Sequence, residues 1–333
     1  MSADLPTPAP PTPPTTGPTD SGPVTCGPHP GAPEPLPYHL LARTRPGHRW
    51  RTLLVVLLAA ALWLGACLVL LAFDAATRRV LGLDLVARIL STDFTDPVGF
   101  IGGFGIVALM LPASLVAQRL LGARPTGLLS SVTGRLRWRW LLHSLALVLG
   151  VQLVVLTVDI VVLTPLLGGE VPAPVLQPWA WFTLLGAVLL VPVQCAGEEY
   201  AFRGLAMQLV GSWLRHPAFA IVLPVPVFAL GHGYDLWGAL DVAVAGLAAG
   251  WVAWRTGGLE AAIALHVVNN VTITVLTAVG WADPAATSGS PLGLALSLAG
   301  TTASLWLVTR AADRAGVQRR RPALPTGEAV AVG

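Results

Sequence analysis

Windows of about 20 apolar residues recur along most of this chain, and that is the length a helix needs to cross the hydrocarbon layer of a bilayer. They lie at 52–73, 98–117, 141–163, 179–197, 238–255, 259–279 and 291–309, with a shorter run at 217–231. Hydrophobic residues make up 54% of the 333 and charged residues only 11%, so few positions could serve a water-soluble surface. The predicted fold is an all-α polytopic membrane helix bundle of about eight transmembrane segments. Pro217, Pro224 and Pro226 fall in the shorter run, so that segment is predicted to be short, tilted or broken.

The Arg distribution sets the orientation. Arg43, Arg45, Arg49 and Arg51 precede the first window, Arg119, Arg124, Arg135, Arg137 and Arg139 follow the second, and Arg310, Arg314, Arg319, Arg320 and Arg321 follow the last. The positive-inside rule makes these stretches cytoplasmic. The expectation is a multi-pass protein of the cell membrane with both termini in the cytoplasm. Arg78, Arg79 and Arg88 break the pattern, but Asp74, Asp84, Asp93 and Asp96 offset them in kind. The net charge of +3 sits in short loops and tails and carries no nucleic-acid signal. Cys26, Cys67 and Cys195 have neither disulfide nor zinc-knuckle spacing.

Thirteen prolines among the first 37 residues, mixed with Thr, Gly and Ser, cannot bury enough apolar surface to offset chain entropy. Residues 1–40 therefore read as a disordered tail, 48–310 as the membrane domain and 311–333 as a basic, disordered tail. The first tail lacks the pattern of a cleaved signal peptide, which makes the first helix an uncleaved anchor.

Within the apolar runs, six polar side chains stand out: Glu198, Glu199, Arg203, His232, His266 and Asn270. Ionisable groups at membrane depth cost several kcal/mol, so such a cluster is read first as a functional site. On a helix, Glu199 and Arg203 share a face in the favoured order of acid before base. Glu198 is rotated by about 100° from Glu199 and so points elsewhere, either free for proton transfer or as a spare acid facing water beside an ion pair at a helix end. His266 and Asn270 also share a face, and both can direct N–H groups into one space, either to hold an oxyanion or to bridge two helices. Asn269 leaves open which amide faces the site.

Glu198-Glu199-x-x-x-Arg203, Phe228-x-x-x-His232 and His266-x-x-x-Asn270, in that order and in separate apolar segments, resemble the CAAX-protease and bacteriocin-processing (CPBP or Abi) family of intramembrane endopeptidases. The resemblance covers about 179–280. It implies that Glu198 and His232 activate a water for attack on a peptide carbonyl, that His266 and Asn270 stabilise the oxyanion, and that Arg203 holds Glu199. The substrate would be a membrane-associated or lipidated protein or a leader peptide. Both a metal-free glutamate mechanism and a divalent metal such as zinc, held by Glu198, His232 and His266, are compatible with these residues. A second function class stays open: a non-catalytic membrane protein, such as a transporter or immunity factor, that uses its buried acids and histidines to handle protons or a ligand.

Overall fold

The computed structural model describes residues 34–44, 49–91, 93, 95–283 and 286–322. Seven helices in it are long and apolar enough to cross a membrane: α1 (Arg49–Leu81), α2 (Pro97–Leu121), α3 (Trp138–Leu166), α4 (Ala180–Trp213), α6 (Leu236–Thr256), α7 (Glu260–Ala278) and α8 (Pro291–Arg314). The shorter apolar helix α5 (Pro217–Leu230) lies between α4 and α6. The protein is an all-α polytopic membrane bundle. Its outward faces carry large apolar side chains such as Leu68, Val69, Leu153 and Val188, each more than half exposed, as a lipid-facing surface requires.

Hydropathy alone ends the fourth window at 197, yet α4 continues to Trp213. Its continuation holds Glu198, Glu199 and Arg203, whose charges depress hydropathy but are met inside the protein. The helix is not uniform. Pro192 sits in the first turn of Val191–Glu199, and a π-helical stretch follows at Tyr200–Ala206. Such stretches often mark functional positions. α5 is broken as expected, into Pro217–Val222 and Val225–Leu230, with Pro224 at the break, where it can supply no backbone N–H.

α7 packs against α3, α4 and α6, and half of its most apolar window is buried inside the protein, more than for any other span. Its first turn is anchored by Glu260, fully buried. Arg137 meets this carboxylate bidentately at 2.9 and 2.6 Å, and the Arg137 backbone N–H donates to it at 2.8 Å. Gly257 caps α6 at φ 75°, a left-handed conformation that glycine adopts without a Cβ penalty.

On the same side, Leu36–Pro37 pairs antiparallel with Arg320–Arg321, and Tyr38–Thr44 forms a 3-10 helix packed against the end of α4. The structure thus differs from the expected tail boundaries: residues 36–40 of the first tail and 311–321 of the second belong to the folded body. Tyr38 and Leu41 account for the first, both fully buried, and Ala312 for the second. Apolar anchors at these few positions outweigh a composition that is tail-like on average. Cys26, Arg45 and most of the proline-rich stretch lie outside the described residues.

At the opposite ends of the helices, Arg78 pairs with Asp74 and Asp84, and Arg88 with Asp96. The acids there do offset Arg78 and Arg88 locally. Trp50, Trp138, Trp179 and Trp181 are exposed at helix ends.

Candidate functional site

α4 supplies the two acids. Glu199 is 1% exposed, and its Oε1 receives Arg203 Nη1 at 3.0 Å and faces His266 Nδ1 at 2.9 Å. Arg203 is held from two further directions: Nη2 donates to the Gly246 carbonyl at 3.2 Å, and the guanidinium lies 4.2 Å from the centre of the Phe228 ring. Glu198 keeps 8% of its surface exposed and makes no pair with Arg203. Its Oε2 accepts from Gln194 Nε2 at 2.5 Å and lies 3.4 Å from His266 Nε2. The two neighbouring carboxylates therefore have different surroundings, as their rotation on a helix predicts. One is matched by a guanidinium, and the other meets a neutral amide and an imidazole.

His266, in the second turn of α7, stands between the two acids, with one ring nitrogen toward each. Asn270, one turn further on, directs Nδ2 to Gln194 Oε1 at 3.3 Å and accepts from Asn269 Nδ2 at 3.1 Å. Asn269 is exposed. Of the two amides, Asn270 is therefore the one that joins the cluster, and Asn269 braces it.

His232 enters from the loop after α5. Its Nδ1 lies 2.8 Å from the Phe228 carbonyl, which only accepts, so Nδ1 carries the hydrogen and the neutral ring presents a bare Nε2. Phe228 packs edge-on against both histidines, with ring centres 4.9 Å from His232 and 6.1 Å from His266. The loop continues to Tyr234, whose ring centre lies 5.8 Å from that of His232. Desolvation pushes the Tyr234 phenol above its usual pKa, and the negative charges of Glu198 and Asp241 push it further. A small cavity of about 10 Å³, enough for about one water, is lined by Arg203, Phe202, Phe228 and Gly250.

Glu198, Glu199, Arg203 and His266 thus form one network of direct contacts, Gln194 joins Asn270 to it, and Phe228 joins His232. Gln194 and Tyr234 belong to the same cluster but to none of the three motifs. Gln194 has a sequence signal, because it is a polar residue four positions before Glu198 in an apolar helix; Tyr234 has none. Cys195 is fully buried, with Sγ 3.4 Å from Gln194 Oε1, in keeping with a small packing residue.

Both nitrogens of His266 already face carboxylates, and among the described residues no group of three His, Cys, Asp or Glu side chains is placed to hold a metal ion. As arranged, Glu198, His232 and His266 do not fit a three-ligand metal centre.

Residues 177–272 match the family model described as type II CAAX prenyl endopeptidase Rce1-like. A Bacillus subtilis (strain 168) protein, described as uncharacterized protein YyaK, is 26% identical over 95 residues, covering 26% of this chain and 32% of that protein. The alignment thus spans about a third of that relative's length. No solved structure matches the chain. The residues matched by the family model include all three polar motifs, so the match supports, over this segment, the resemblance to the CAAX-protease and bacteriocin-processing family that those motifs carry.

Proposed function

We propose that the protein is an intramembrane endopeptidase that hydrolyses a peptide bond in a membrane-associated or lipidated protein or a leader peptide. The observation that carries this reading is the unequal pair Glu198 and Glu199. Arg203 occupies Glu199, while Glu198 is the more exposed of the two and has no guanidinium partner. In this reading Glu198 takes a proton from water as the water oxygen attacks the carbonyl carbon, with the bare Nε2 of His232 accepting the water's other hydrogen bond. Asn270 donates to the oxyanion that forms, and the Nε2 edge of His266 supplies a second donor beside it. The proton held by Glu198 then passes to the amide nitrogen as the C–N bond breaks.

The family description names a prenyl endopeptidase, so a farnesylated peptide with a C-terminal Cys-a-a-X sequence supplies the first probe. The Arg-rich ends of the helices, together with both tails, would face the cytoplasm, where such tails reside. The test compares wild type with Glu198→Gln in liposomes. The variant should keep its melting temperature and lose cleavage by about 10²-fold or more, the usual contribution of a positioned base. Undiminished turnover by the variant would remove Glu198 from the mechanism.

A further inference from the structure

Gln194 lies one helical turn before Glu198, is 5% exposed, and sits in a helix whose neighbouring residues are mostly apolar. An amide buried there is costly unless it is hydrogen-bonded. Its partners fix its orientation. Nε2 donates to Glu198 Oε2 at 2.5 Å, while Oε1 accepts from Asn270 Nδ2 at 3.3 Å and faces Cys195 Sγ at 3.4 Å. Turned over, the amide would set its oxygen against a carboxylate oxygen and its NH2 against another NH2. Asn270 is fixed in turn, because its Oδ1 accepts from Asn269. One of its two amide hydrogens goes to Gln194, and the second is left for a substrate carbonyl.

We propose that Gln194 is a positioning residue that ties the proton acceptor Glu198 to the oxyanion donor Asn270. One amide thereby sets the separation between the group that takes the water's proton and the group that receives the carbonyl's charge. The two reacting groups stand on different helices, α4 and α7, and Gln194 is the bridge between them. The inference rests on the proteolytic reading of the site. Misplacement of a catalytic group by about 1 Å can cost on the order of 10²-fold in rate, so such a bridge has a kinetic consequence.

The test uses the full chain in liposomes with an internally quenched farnesylated peptide, comparing wild type, Glu198→Gln and Gln194→Met. Methionine matches glutamine in length and is apolar, so the helix and its packing survive the change. Gln194→Met should lower kcat by about 10- to 100-fold with KM within about twofold of wild type. Infrared difference spectra supply a readout that needs no substrate: the carboxylate band removed by Glu198→Gln should be displaced in Gln194→Met. If Glu198→Gln is inactive while Gln194→Met keeps more than half of the wild-type kcat, the inference is overturned and the proteolytic reading stands. If Glu198→Gln cleaves as well as wild type, both fall. If wild type does not cleave this peptide, the infrared band decides: an unmoved band overturns the bridge and a displaced one upholds it.

Discussion

Arg203 Nη1 lies 3.0 Å from Glu199 Oε1, four residues away on the same helix, and side-chain exposure is only 5% and 1%. Removing one member of such a buried pair leaves an uncompensated charge and typically costs about 3–5 kcal/mol. Arg203→Met should therefore lower the thermal midpoint sharply. Adding Glu199→Gln to it should recover much of the loss, because the stranded charge is gone. Thermal melts of the two single variants and the double variant, in one detergent, check this.

Gly197 precedes the acidic pair at the contact between α4 and α2. A Cβ built there would stand 3.1 Å from the Val107 carbonyl oxygen, 3.2 Å from the Leu111 nitrogen and 3.3 Å from the Ala108 carbonyl oxygen. These are backbone atoms and cannot rotate aside. Gly197→Val should destabilise the protein by about 1–3 kcal/mol through overpacking. It should also reduce turnover by displacing Glu198, and melting curves alongside peptide cleavage separate the two effects.

The donor arrangement predicts the response to chelators. With His266 committed to Glu198 and Glu199, and no three-ligand group among the described residues, cleavage should be unchanged by EDTA or 1,10-phenanthroline. Loss of activity that returns on adding zinc would show that the donors rearrange around an ion.

His39 gives a prediction for pH. It is buried, its Nε2 donates to the Arg215 carbonyl at 2.9 Å, and desolvation lowers its pKa, with Arg43 and His216 adding repulsion. An unfolded chain protonates this ring as the pH falls through about 6.5, whereas the folded one resists down to its lower value. Stability should therefore decline as the pH drops below about 6.5 and level off beneath the folded value, where both states carry the proton. Melting temperatures from pH 7.5 to 5 should show a steeper fall for wild type than for His39→Gln.

Most of the architecture was legible because lipid imposes one length on every span, and each apolar window coincides with or lies within a residue of an observed helix. The end of α4 was not, since hydropathy scores a charge as exposed even where, as with Glu199 and Arg203, its partner is four residues away. The six polar residues of the site could be found because each is expensive in an apolar run. Gln194 was overlooked because an uncharged amide costs less and matches no motif. Glu260 and Arg137 were missed for a different reason: 123 residues separate them, and nothing local in either segment announces the other.

The ladder between Leu36–Pro37 and Arg320–Arg321 has a topological consequence. Strands that share hydrogen bonds must lie on one side of a bilayer, so the polypeptide traverses it an even number of times between them. The seven long apolar helices among the described residues make an odd count. With each of them crossing once, the proline-broken α5 is the element that supplies the remaining passage, despite its 14 residues.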